Sequence, residues 1–171
     1  MNEKKLLDHS RNIVQHYEAH PKLIESSPAN YLAFCGNLMN ALFNGKEDEE
    51  LTEYSKKYLK LPSHLALKRL PRTNGTIFQR AYVLLLNMHL IDGDFDKALE
   101  HIPAIEKGMK SHKKFILEGH KTNLQTLVAL VYFSIGADDK ALDWSNMVLA
   151  RKTKDIIEDF YYANNILQLI I

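Results

Sequence analysis

The chain has 171 residues, 46% apolar and 25% charged, so it can bury a core without disulfides or metal, and a single domain is the first expectation. Its 22 basic and 21 acidic side chains leave a net charge of +1, which excludes a strong global pull toward nucleic acid or anionic lipid. The lone Cys35 cannot form an internal bridge, the N-terminus lacks a signal peptide's apolar core, and no run approaches the ~20 apolar residues of a membrane span, so a soluble cytoplasmic protein is expected.

Leu6, Leu7, Ile13, Val14 and Tyr17 recur at helical spacing and predict a helix over 3–20 that ends near Pro21. SSPAN then starts a second helix, with Ser27 as N-cap and Pro28 in the first turn, where its missing N–H costs nothing. The run YLAFCGNLMNALF is apolar on most sides, as expected of a helix packed between others, and it stops at Asn44–Gly45. In KEDEELTEYSKKYLKL, acidic residues 47–50 fill the first turn and Lys56, Lys57 and Lys60 the last, complementing the helix dipole at both ends. The acidic cluster also suits a basic partner. Residues 61–75 hold two prolines and a terminal Asn–Gly, and read as a long connection with a short helix or turn near 63–69.

Thr76–Gln79 matches a capping box ahead of RAYVLLLNMHLI. Helix resumes from DKALEHIPAIEKG, where Pro103 is expected to kink or end it near Ile102. KSHKKF reads as a basic turn, TNLQTLVALVYFSI as another mostly apolar helix ended by Gly136, DKALDWSNMVLARK as the next, and 154–171 as a last helix. No segment alternates like a half-buried strand, so the class is all-α.

GDFDKALE (93–100) and GADDKALD (136–143) share five of eight residues. Each phrase follows a long apolar helix and opens a more amphipathic one. A degenerate copy starts at Gly45, where Asp48 and Leu51 keep the spacing and Glu50 replaces the alanine, giving intervals of 48 and 43 residues. The glycine permits the left-handed conformation that reverses the chain. The aspartate three residues later sits in the first turn of the next helix, and the alanine is small where two helices come closest. Hairpins of this kind cannot bury both faces alone and must stack.

With the helix before it, GDFDKALE resembles the tetratricopeptide repeat, in which a Gly-Asp-aromatic-Asp turn and an Ala-Leu pair start the second helix. Tyr82 and Leu85, and then Ala129 and Tyr132, stand where that family favours aromatic, leucine and small residues. The period exceeds the family's 34, Pro103 interrupts a helix the family keeps whole, and Leu86 and His89 replace a small residue and an aromatic. The resemblance implies a right-handed α-solenoid of three hairpins, at about 28–60, 76–110 and 119–152, flanked by the helices 3–20 and 154–171. It further implies a non-catalytic protein- or peptide-binding scaffold or sensor. The first helices would line a concave face through Leu32, Cys35, Met39, Arg80, Val83, Asn87, Leu90, Asn123, Thr126, Leu130 and Phe133. Asn87, an amide inside an apolar run, suits either the backbone of a bound peptide or a neighbouring helix.

Other chemistry was weighed against this. His16 and His20 lie four apart on a helix, as two metal ligands could, but no third ligand is evident and the zinc-protease order is missing, so no cofactor or metal is expected. His89 is either a hydrogen-bonded core histidine or a pH switch. No nucleophile elbow, P-loop or GxGxxG occurs, so no enzyme is expected. Two basic clusters, Lys68, Arg69 and Arg72, and Lys107, Lys110, Lys113 and Lys114, suit phosphate or an acidic protein segment; the near-zero net charge disfavours nucleic acid. A peptide-sensing domain of a transcription regulator, an RNA-binding array and a metal-dependent enzyme are the alternatives. The apolar end Leu169–Ile170–Ile171 predicts that the last helix folds back, forms a homodimer, or leads into further chain.

Overall fold

The computed structural model describes residues 3–61, 72–151 and 158–171. These form nine helices and no strand: α1 (Glu3–Ala19), α2 (Pro21–Ser26), α3 (Pro28–Asn44), α4 (Asp48–Lys60), α5 (Thr73–Asp92), α6 (Phe95–Ser111), α7 (Glu118–Ser134), α8 (Asp138–Leu149) and α9 (Glu158–Ile170). None of them is long and apolar enough to cross a membrane. Internal contacts divide the chain into two compact units, 1–84 and 85–171, and the boundary falls inside α5.

In unit 1, α1 packs on α3 and α3 on α4. Leu7 and Val14 of α1 and Tyr31, Leu38, Met39 and Leu42 of α3 are buried in its core. The Arg11 guanidinium on α1 grips the Glu50 carboxylate with two hydrogen bonds, so part of the acidic start of α4 is matched within the chain. The Tyr31 hydroxyl donates to Glu18 at 3.1 Å, and Glu18 pairs with Lys57 at 2.6 Å. Unit 2 builds outward from α7, which packs against α6, α8 and α9.

The three second helices begin with one local structure. The residue before the N-cap takes positive φ: Lys46 at 55°, Gly93 at 75° and Gly136 at 71°. The next N–H bonds the carbonyl five residues back, from Glu47 to Leu42 at 3.0 Å, Asp94 to His89 at 2.8 Å and Ala137 to Tyr132 at 2.9 Å. This is the Schellman closure, which satisfies the last carbonyls of the preceding helix. The first copy is thereby corrected by one residue. Gly45 is right-handed (φ −78°), and Lys46 occupies the turn position. Leu51, not Glu50, therefore corresponds to Ala98 and Ala141, and the intervals become 47 and 43 residues.

The burial pattern follows this register. Over 51–60, 98–107 and 141–150 the sequence of buried, half-buried and exposed residues is the same. Leu51, Ala98 and Ala141 are all at 0% exposure. Four residues on stand Ser55, Ile102 and Ser145, and three further Tyr58, Ile105 and Val148, all buried. One face of each second helix is thus pressed into its unit along a 4–3 spacing, the period of a single helical stripe.

Four local expectations change. Pro103 sits inside a continuous α6 rather than ending it. The proline is exposed, while Ile102, Ile105 and Met109 on either side of it are buried. Burial of three such side chains, at about 1.5–3 kcal/mol each, outweighs the ~3 kcal/mol cost of an interior proline. Thr76 does not cap: α5 starts at Thr73, which is buried, and the Thr76 hydroxyl donates to the Arg72 carbonyl at 3.2 Å. Ser27 holds the N-cap position of α3 without a side-chain capping bond. The short α2 was not expected; Pro21 opens it and Ile24 anchors it in the core. The predicted turn or helix at 63–69 lies outside the described residues, as do Lys68 and Arg69.

The turn geometry fixes the sign of two substitutions. Lys46→Gly should stabilise the chain by about 1 kcal/mol in a urea titration by relieving a left-handed side chain. Gly136→Ala should destabilise it by about 1–2 kcal/mol. A Cβ at Gly136 would meet nothing within 4 Å, so that loss is conformational and not steric. In the same assay Pro103→Ala should raise stability by roughly 1–3 kcal/mol, because it restores a hydrogen bond on an exposed face of an intact helix.

Candidate functional site

Unit 2 contains an open cleft of about 810 Å³. Each wall comes from one helix and the residues just beyond its end. The end of α6 and the turn after it contribute Glu106, Met109, Lys110 and Lys113, at spacings of three and four. The floor, from α7, is Lys121, Gln125 and Tyr132. The far wall is Lys140, Asp143, Trp144 and Met147 of α8, with Arg151 just beyond. The turn at Gly136 brings these walls together, since it lays α8 back along α7 in the register described above.

The lining joins apolar surface to a basic rim. Met109 and Tyr132 are buried, Trp144 is half-buried and Met147 is 48% exposed. Lys140 Nζ lies 5.1 Å from the centre of the Tyr132 ring, a cation–π contact. Burial raises the Tyr132 hydroxyl above its usual pKa, and the Glu106 charge adds to the shift. Glu118 holds two of the cations: Arg151 donates to it directly, and Lys121 lies 3.7 Å away. Lys110 and Lys113 are exposed and form no ion pair among the described residues.

Gln125 is the anomaly of the floor. It is only 3% exposed, its amide nitrogen contacts the Met147 sulfur at 3.7 Å, and its Oε1 has no partner in the protein. Its neighbour Thr126, also buried, is fully engaged. Thr126 donates to the Thr122 carbonyl at 3.0 Å and accepts from Asn164 Nδ2 at 2.8 Å. Asn164 belongs to α9, whose backbone carbonyl at the same residue accepts from Ser145 of α8 at 3.2 Å. The last helix therefore does fold onto α7 and α8, through Asn164 and Leu167, while Tyr162, Ile166, Leu169 and Ile170 stay exposed on its outer side.

The residues expected to form a binding face are dispersed in burial. Cys35 and Met39 are at 0% exposure, and the buried Thr126 has its hydroxyl taken up by Thr122 and Asn164, so none of the three offers a free group to a ligand in this structure. Cys35 is a core group, and burial raises its thiol pKa, with the nearby Tyr54 and Tyr31 hydroxyls acting the other way. Leu32, Arg80, Val83, Asn87, Leu90, Asn123, Leu130 and Phe133 are half-buried. The Arg80 side chain lies across Gly36 and turns toward Tyr58, whose hydroxyl is pushed up to about 12 by burial despite that cation. On α7 the expected residues Asn123, Thr126, Leu130 and Phe133 occupy roughly the opposite side from Lys121, Gln125 and Tyr132, at about 100° per residue. His89 is buried against His101, rings stacked at 5.4 Å, and burial holds the His101 pKa below its ordinary value. His16 and His20 have ring centres 4.5 Å apart, and His20 Nδ1 sits 2.8 Å from the His16 carbonyl. No group of three or more potential metal ligands occurs among the described residues.

Of the cleft's residues, Lys110 and Lys113 were marked by the sequence; Gln125, Trp144 and Arg151 were not. The signal for Gln125 was present: like Asn87, it is an amide inside an apolar helix. No family model matches the chain, and comparison with curated proteins and with solved structures gives no match.

Trp144 is the single tryptophan, so its fluorescence reports on the cleft. Iodide should quench it several-fold more efficiently than caesium at low ionic strength, because the basic rim concentrates anions. Equal quenching constants would contradict the electrostatic description of the cleft.

Proposed function

We propose that this chain is a non-catalytic helical-repeat module of the tetratricopeptide kind that binds a peptide segment of a partner protein in the unit 2 cleft. Support for the repeat is the threefold recurrence of one turn and one burial register, at positions where the residue identities differ. The observation that carries the binding role is the cleft itself. Its volume falls in the range of ligand sites, it is open along the helices, and it combines aromatic and thioether surface with a few placed polar groups. An extended or helical peptide lying between α6 and α8 would bury an apolar side chain against Trp144 and Met109.

The test is selection of a fully randomised dodecapeptide library against the immobilised 171-residue chain. Recovered peptides should share a pattern, bind with one-to-one stoichiometry and shift Trp144 emission on binding. A library that enriches nothing, or binders that leave Trp144 unaltered, would overturn the assignment.

A further inference from the structure

We propose that the cleft selects an acidic peptide segment, in which carboxylates are held by Lys110, Lys113 and Lys140 and a backbone amide pairs with Gln125. This rests on the peptide-binding reading and specifies its ligand.

The charge balance points to an anion. The cleft gathers five cations against the carboxylates Glu106 and Asp143, in a chain whose net charge is only +1. Glu118 at the edge fixes Arg151 and Lys121 in position. That leaves Lys110 at the end of α6 and Lys113 in the turn after it, which line the same opening, uncommitted to any internal carboxylate among the described residues. In unit 1, by contrast, Arg11 pairs with Glu50, Lys56 with Glu53 and Lys57 with Glu18.

The amide selects the kind of anion. A buried polar atom without a partner costs about 1–3 kcal/mol, and a ligand that satisfies it recovers that cost on binding. Oxygen and nitrogen of a glutamine side chain differ only by a flip, so the orphaned end of Gln125 is either an acceptor or a donor. A peptide group carries both N–H and C=O and completes either orientation, whereas a carboxylate or phosphate alone offers acceptors only. The internal carboxylates argue the same way. Glu106 and Asp143 oppose an evenly charged polymer such as a nucleic acid, while a peptide places neutral residues beside them. Trp144 and Met109 then receive an apolar side chain of the segment.

The dodecapeptide selection is repeated with three variants of the full chain. Peptides recovered on the unmodified chain should be rich in Asp and Glu around one or two apolar residues. Their affinity should fall by roughly 30-fold or more in Lys110→Glu/Lys113→Glu, the size expected for reversing two charge contacts, and stay unchanged in the unit 1 control Lys5→Glu/Lys22→Glu. Gln125→Leu should weaken binding about fivefold or more while leaving urea stability equal or higher, since it removes a buried unpaired group; a purely structural role would instead lower stability. Enrichment of peptides without acidic bias, or of acidic peptides indifferent to Lys110→Glu/Lys113→Glu, would overturn this proposal and leave the module standing. No enrichment at all would overturn both. Stoichiometric displacement of the acidic peptide by a lower concentration of a thymidine oligonucleotide would overturn it in favour of a polyphosphate site.

Discussion

The left-handed residue that closes each first helix sets what every later residue in the hairpin does. Because a helix turns about 100° per residue, moving that closure by one position would rotate the whole second helix and, in α4, turn Glu50, Tyr54 and Lys57 inward in place of Leu51, Ser55 and Tyr58. At Gly93 and Gly136 the conformation costs little, since glycine has no Cβ to clash. At Lys46 it costs about 1–2 kcal/mol, and the chain adopts it all the same. What holds it there is the stripe itself: Leu51, Ser55 and Tyr58 are buried only in this register, and Arg11 reaches Glu50 only when Glu50 faces outward.

Equivalent positions share burial but not size. Leu51, Ala98 and Ala141 range from large to small, as do Tyr58, Ile105 and Val148, and Met39, Leu86 and Ala129 on the preceding helices. The recurring unit is therefore the backbone turn and the spacing of buried positions, and each hairpin is filled differently. Close packing requires that neighbouring side chains adjust together, so such variation is tolerated when volumes change as a set.

This separates what could be read in the sequence from what could not. The helices α3, α4, α6, α7 and α8 were legible because Pro28, the acidic start at 47–50 and the two glycines at 93 and 136 are local signals acting within a turn. The shifted first repeat was not, because Gly45 satisfies the expectation of a glycine just past a helix and hides that its neighbour takes the left-handed position. Pro103 misled for the opposite reason: its cost is local and visible, while the burial of Ile102, Ile105 and Met109 that outweighs it depends on tertiary packing. The cleft was half legible. Lys110 and Lys113 are neighbours in sequence, but Arg151 and Lys121 become part of one site only through Glu118, 33 residues from the arginine in the chain.

The two buried polar residues side by side on α7 show how the fold divides that helix. Thr126 and Gln125 are equally enclosed, yet a step of about 100° around the helix gives them different neighbours. Thr126 faces α9, and Asn164 completes its hydrogen bonding from inside the chain. Gln125 faces away from that contact, into the space between α6 and α8, where the protein supplies only a thioether. The unpaired amide thus lies on the side of α7 that also carries Lys121, and the hydroxyl satisfied by Asn164 lies on the side covered by α9.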